Sequence, residues 1–114
     1  MKPVGTATVA GETWGGSCTA WRLVTGPDLA VAEETMPPGT SEARHHHQRA
    51  RQFFYVLEGT LAMEMSGETL RLRAGQGLEI APGTPHRAHN PGPQTTRFLV
   101  VSAPTSKGDR VETG

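Results

Sequence analysis

The sequence predicts an all-β domain, a closed barrel of short strands, from three observations. No stretch of ten or more residues carries a clean helical period, while β-branched and aromatic runs recur between turn residues. The chain has 14 glycines and 9 prolines in 114 residues, a turn-rich composition that suits many short strands better than helices. A length of 114 residues allows one hydrophobic core and no second domain.

The elements follow in order. Residues 1–16 are small and polar and read as an N-terminal arm or an edge strand. Residues 21–24 read as a short strand stopped by Gly26-Pro27. Residues 29–102 are the expected barrel core. Its first strand, 29–36, ends at Pro37-Pro38-Gly39. Residues 42–52 have helix-favouring composition, but the histidine pattern described below argues for a strand. Residues 53–57 are aromatic and β-branched, the clearest strand signal in the chain. Residues 61–65 and 69–72 flank Ser66-Gly67 as a tight hairpin. Residues 78–80, 87–90 and 97–102 continue the strand pattern. Residues 103–114 are expected to be a loose polar tail. There is no internal repeat and no linker, so residues 1–114 read as a single domain.

Eleven basic and eleven acidic side chains cancel to a formal net charge of zero, which gives no basic face for nucleic acid. The single Cys18 has no partner for an internal disulfide, which fits a reducing compartment. The N-terminus lacks the apolar run of a signal peptide, and no stretch approaches the ~20 apolar residues of a membrane span. The expectation is a cytoplasmic protein with neither nucleic-acid nor membrane partners.

The five histidines are clustered. His45, His46 and His47 are consecutive; His86 and His89 follow the turn Pro82-Gly83-Thr84-Pro85. A run of three histidines also suits a solvated surface. On a strand, however, residues i and i+2 point the same way. His45 and His47 then share one face, with His46 on the other. The next strand can add Gln52 from that face, and a distant strand carrying His86 can close the set. Four such donors make a candidate metal site.

These residues resemble the cupin superfamily. The first cupin motif is G-x5-H-x-H-x3,4-E-x6-G, and this chain has Gly39, His45, His47, Gln52 and Gly59 at those spacings, with Gln in place of Glu. The second is G-x5-P-x-G-x2-H-x3-N, matched by Gly75, Gly83, His86 and Asn90, with Ala81 in place of the proline. The two motifs span about half the chain. The resemblance implies a double-stranded β-helix of jelly-roll type, a homodimer, and one divalent transition metal ion inside the barrel, held by His45, His47, Gln52 and His86. Such a nitrogen and oxygen donor set suits Zn, Ni, Mn, Co or Fe alike.

Fold does not fix the reaction. Gln52 contributes no charge, so the ion keeps its full +2, should be held less tightly than by carboxylate, and should act as a stronger Lewis acid. The same charge favours an anionic ligand. The expectation is a Lewis-acid enzyme of isomerase, hydratase or hydrolase type, acting on a small anionic or sugar-derived metabolite. A non-catalytic small-ligand binding protein and a metal-dependent dioxygenase are the alternatives. Small cupins that hydrolyse unsaturated uronates share the His/His/Gln/His set, but they use a carboxylate on a late strand. Here that strand reads Arg97-Phe98-Leu99-Val100-Val101-Ser102, so their activity does not transfer.

Other residues complete the expected pocket. If Gln52 faces inward, so do Phe54 and Val56, while Phe53 and Tyr55 face outward. Glu34 shares a face with Met36 and is the candidate general acid or base. Phe54, Met63 and Arg44 are candidate substrate-binding residues, with Arg44 and Arg87 flanking the metal ligands; the apolar core is the other place for Met63, and the surface for Arg44 and Arg87. Parity points His46 and His89 away from the site.

Overall fold

Alternation with a period of two decides which face of each strand is covered. In the strand Arg51–Glu58, Gln52, Phe54 and Val56 are buried, whereas Arg51, Phe53 and Tyr55 are exposed. In Thr96–Ala103, Thr96, Phe98, Val100 and Ser102 are buried. The computed structural model describes residues 1–113, and no helix occurs among them. In chain order the strands are β1 (Glu12–Trp14), β2 (Cys18–Thr25), β3 (Ala30–Met36), β4 (His45–His47), β5 (Arg51–Glu58), β6 (Thr60–Met65), β7 (Glu68–Arg73), β8 (Gly77–Ile80), β9 (His86–His89), β10 (Thr96–Ala103) and β11 (Arg110–Glu112).

They form two antiparallel sheets, β1-β2-β3-β10-β5-β8 and β11-β4-β9-β6-β7. Strand β10 lies between β3 and β5, and β9 lies between β4 and β6. This interleaving of distant strands is a jelly roll, the double-stranded β-helix expected from the two motifs. The inner faces close on Met36, Val56, Leu61, Met63, Ile80 and Phe98. Each such side chain contributes about 1.5–3 kcal/mol by leaving water.

Two turns show why the sequence folds this way locally. Ser66 and Gly67 both adopt positive φ, 53° and 78°, the conformation of a two-residue hairpin turn that matches strand twist. This is the expected hairpin between β6 and β7. Gly59 turns β5 into β6 at φ +78°, and a Cβ there would lie 2.9 Å from the carbonyl oxygen of Thr95. Only glycine meets both conditions.

The chain departs from expectation at its ends. Strand β2 reaches back to Cys18, beyond the expected 21–24, because the small Cys18 and Ala20 side chains bury on its inner face. Residues 12–14 are an edge strand against β2. The tail is not loose. Strand β11 pairs with β4, setting Arg110 opposite His47 and Glu112 opposite His45. Just before it, the buried Asp109 carboxylate accepts the amide N–H groups of Gln48 (3.1 Å), Arg49 (2.9 Å) and Ala50 (2.9 Å). A carboxylate that satisfies three loop amides is a strong anchor, which a purely polar composition does not reveal. Residues 42–52 form the loop and strands that the histidine pattern predicted, against their helix propensity.

Candidate metal centre

The two sheets contribute different donors. His45 and His47 lie on β4 and His86 on β9, with His45 directly opposite His86, so all three come from the five-stranded sheet. Gln52 comes from β5 of the other sheet. Strand parity works as expected: His45 and His47 are buried, and His46 between them is half-buried on the opposite face. The ring centroids of His45 lie 5.0 Å from those of His47 and 4.4 Å from those of His86. One ring nitrogen from each of the three lies within 4.8 Å of the others.

The ring orientations are set from behind. The Nδ1 atom of His45 is 2.8 Å from the carbonyl oxygen of Ala43, and that of His86 is 2.9 Å from the carbonyl oxygen of Thr84. Donation of Nδ1–H to a backbone carbonyl leaves Nε2 as the lone-pair atom, the usual support for a metal-ligating histidine. Burial holds all three imidazoles below their ordinary pKa, His45 down to about 4. All three are therefore neutral near pH 7, the form that binds a cation.

Several buried polar atoms here have no partner among the described residues. His86 Nε2, His47 Nδ1 and Gln52 Oε1 are among them. Such atoms are rare in folded proteins and call for a cause. Gln52 lies opposite Ser102 in the β5–β10 ladder, and its Nε2 donates to Ser102 Oγ at 3.1 Å. That bond occupies the amide's donor end and leaves the oxygen free. Neutral imidazole lone pairs and a free amide oxygen lining one cavity fit a divalent cation of the nitrogen- and oxygen-binding class. The three buried histidines could hold such an ion.

The site opens into a cavity of about 850 Å³ between the sheets. His45, His47, Gln52, Phe54, Phe98 and Glu34 line it. Phe54 is thus where the sequence placed it, its ring 6.2 Å from that of His86. Glu34 also stands on this cavity, with burial and then the neighbouring Glu42 raising its pKa to about 7 against the pull of Arg22 and Arg110. Glu42 is raised to about 7 mainly by burial, although it accepts the Ala88 N–H at 2.9 Å.

Two expected pocket residues lie elsewhere. Met63 is fully buried in the hydrophobic core and does not line the cavity. Parity turns it inward, but its place along β6 sets it among core side chains. Arg44 lines a separate charged cleft with Glu42, Glu64, Arg87 and Glu112. It adjoins His45 in sequence but precedes β4, so nearness along the chain does not carry it onto the cavity of the ligands. Arg87 is paired with Glu64 at 2.5 Å, and His89 Nδ1 lies 3.4 Å from the same carboxylate, away from the metal ligands.

The sequence reading missed Glu42, Ser102 and Arg110, all on the cavity. Ser102 had a signal: it is a polar residue at an inward position of an otherwise apolar strand. Arg110 had none, because its place depends on the pairing of β11 with β4.

A family model described as a cupin domain matches residues 32–102. A polyketide synthase protein, CurC, of Streptomyces cyaneus is 39% identical over 69 residues, covering 60% of this chain and 45% of that protein. The chain thus spans about half the length of this curated relative. Among solved structures, the polyketide cyclase RemF of Streptomyces resistomycificus matches with a TM-score of 0.82 and 28% identity, covering 92% of this chain and 80% of that one. A predicted oxalate decarboxylase of Thermotoga maritima matches with a TM-score of 0.83 over 91% of this chain and 100% of its own, at 21% identity, a likeness of fold.

Proposed function

The chain belongs to the cupin family, and from that premise we propose that it is a metal-dependent enzyme using Lewis-acid chemistry on a small anionic or sugar-derived metabolite. Its ligands are His45, His47, Gln52 and His86. The observation that carries this reading is that one cavity is lined by His45, His47 and Gln52 and by Glu34, a carboxylate whose pKa is about 7. When bound, a divalent transition ion supplies polarisation of a carbonyl or hydroxyl oxygen, with its +2 charge undiminished by four neutral donors.

The chain's own groups do the remaining work. Glu34 exchanges a proton readily near neutral pH, the property a general acid or base needs. Phe54 and Phe98, their rings 5.9 Å apart, form an apolar wall that limits water. Ser102 accepts a hydrogen bond from the Gln52 amide at 3.1 Å and positions that side chain. Isomerisation, hydration and hydrolysis all fit these parts. The outward Phe53 and Tyr55, stacked 6.2 Å apart on the exposed face of β5, support a homodimer contact there.

A second reading is favoured by the polyketide names of CurC and RemF: ring closure of a polyketone. It uses the same parts, because Glu34 would remove the proton α to a carbonyl. A cavity of about 850 Å³ is also larger than a two-carbon acid needs, and it falls in the range of drug-sized ligand sites.

The test is turnover of unsaturated uronates, β-keto acids and an aromatic polyketone by Zn-, Mn-, Co-, Ni- or Fe-loaded protein, followed by NMR with and without oxygen. The expected result is metal-dependent, oxygen-independent turnover that Glu34→Gln lowers by about a hundredfold or more. Oxygen consumption would instead favour a dioxygenase, and saturable binding without turnover a binding protein.

A further inference from the structure

The charged rim of the main cavity is unevenly paired. Arg22 is occupied: its Nε lies 2.6 Å from the Glu12 carboxylate, and both are exposed. Arg110 is different. It enters from β11, directly opposite the metal-ligand candidate His47. Among the described residues, Glu112 is the one carboxylate within 4.0 Å of its guanidinium, at 3.8 Å. Among the described residues its guanidinium makes one hydrogen bond, a long one from Nη2 to the Ala43 carbonyl oxygen at 3.5 Å. The guanidinium therefore has most of its five donors free. It lines the same cavity as His45, His47, Gln52, Glu34 and Glu42.

The backbone beneath it is fixed. Asp109, one residue earlier, is tied by three amide hydrogen bonds to the loop between β4 and β5. That loop joins His47 to Gln52. The C-terminal segment is thus built onto the ligand strands, and Arg110 holds a set position relative to them.

We propose that Arg110 is the anion anchor of this cavity, so that its ligand carries two oxygen groups: one for the ion, and a carboxylate for the Arg110 guanidinium. This rests on the metal reading above and sharpens it to a class, namely dicarboxylates and carboxylates bearing a second chelating oxygen. The apolar wall of Phe54 and Phe98 receives the body between the two ends. A guanidinium with free parallel donors matches a carboxylate in two-point contact, which a lysine cannot do.

The test uses the full chain loaded with Co(II), whose visible spectrum reports ligand exchange. Acetate, oxalate, malonate, succinate and glutarate are titrated into wild type, Arg110→Gln and Arg110→Lys, with thermal melting as the check on folding. At least one dicarboxylate should bind wild type about tenfold or more tightly than acetate. Arg110→Gln should erase that advantage while the protein still takes up cobalt, and Arg110→Lys should keep part of it. If Arg110→Gln does not fold, the lysine variant decides alone. Overturning results are a series in which no dicarboxylate exceeds acetate, or an advantage that survives the substitutions. If wild type takes up no cobalt, the metal reading fails by itself. Calorimetry of the same series on metal-free protein then judges Arg110: binding that the substitutions abolish supports the anchor, and its absence rejects it.

Discussion

Gln52 donates its amide N–H to the hydroxyl of Ser102, directly across the β5–β10 ladder, at 3.1 Å. Gln52 Oε1 is buried with no partner among the described residues, on the cavity that His45 and His47 also line. A glutamine amide has two chemically opposite ends, and in this pairing the nitrogen end is taken while the oxygen end is free. Ser102→Ala should therefore leave the fold intact and lower zinc affinity by about tenfold, as loss of a supporting contact does elsewhere. Gln52→Glu should raise affinity above wild type by adding charge. Competition against a chromophoric chelator measures both. Unchanged affinity in both variants would remove Gln52 from the ligand set.

Glu34 gives a pH dependence with a definite sign. Its pKa is raised from 4.5 to about 7, first by burial. Below the unfolded value the folded and unfolded states are both protonated, and nothing is lost. As pH rises from about 4.5 towards 7, the unfolded chain ionises first and stability falls; above 7 the loss is complete. Glu34→Gln should equal wild type in stability near pH 4 and exceed it near pH 8. Urea unfolding at the two pH values checks this, and a variant no more stable at pH 8 would contradict the burial of that carboxyl.

The Asp109 anchor has the opposite sign. Its carboxylate lies below the ordinary aspartate range because its three amide hydrogen bonds, together with Arg49, outweigh burial. The stability it contributes is present above the unfolded pKa of about 4 and is lost as pH falls through the lower folded value. Asp109→Asn should lower Tm at pH 7 by roughly 5–10 °C and narrow its gap to wild type in acid. It should also weaken metal binding, because the loop it holds joins His47 to Gln52.

Gly59 is a structural control remote from this chemistry. Alanine there meets both the positive φ and the Thr95 carbonyl 2.9 Å away. Gly59→Ala should cost about 1–3 kcal/mol in urea unfolding. A neutral result would contradict the geometry of the β5–β6 turn.

The sequence made the histidines legible because strand parity is a local rule: two residues apart means one face, whatever surrounds them. The same rule placed Phe54 and Val56 inward and Phe53 and Tyr55 outward. It failed where position along the barrel, rather than direction, mattered. Met63 points inward but into packed core. Arg44 was chosen for adjacency to His45, but it precedes β4 and lines a separate cleft with Glu42, Glu64, Arg87 and Glu112. Asp109 and Arg110 were hidden for a different reason. Charged residues near an end read as solvated, and the amide that Asp109 receives from Gln48 crosses 61 positions of sequence. Nothing in the local pattern announces a contact of that span.

Whether His45, His47, Gln52 and His86 hold one divalent ion is decided by elemental analysis. Wild type and His47→Ala should be purified without nickel resin and their bound transition metals counted. The account predicts close to one ion per chain in wild type and almost none in the variant at equal folding. A folded wild type without metal, which takes up none when zinc or manganese is supplied, would contradict it.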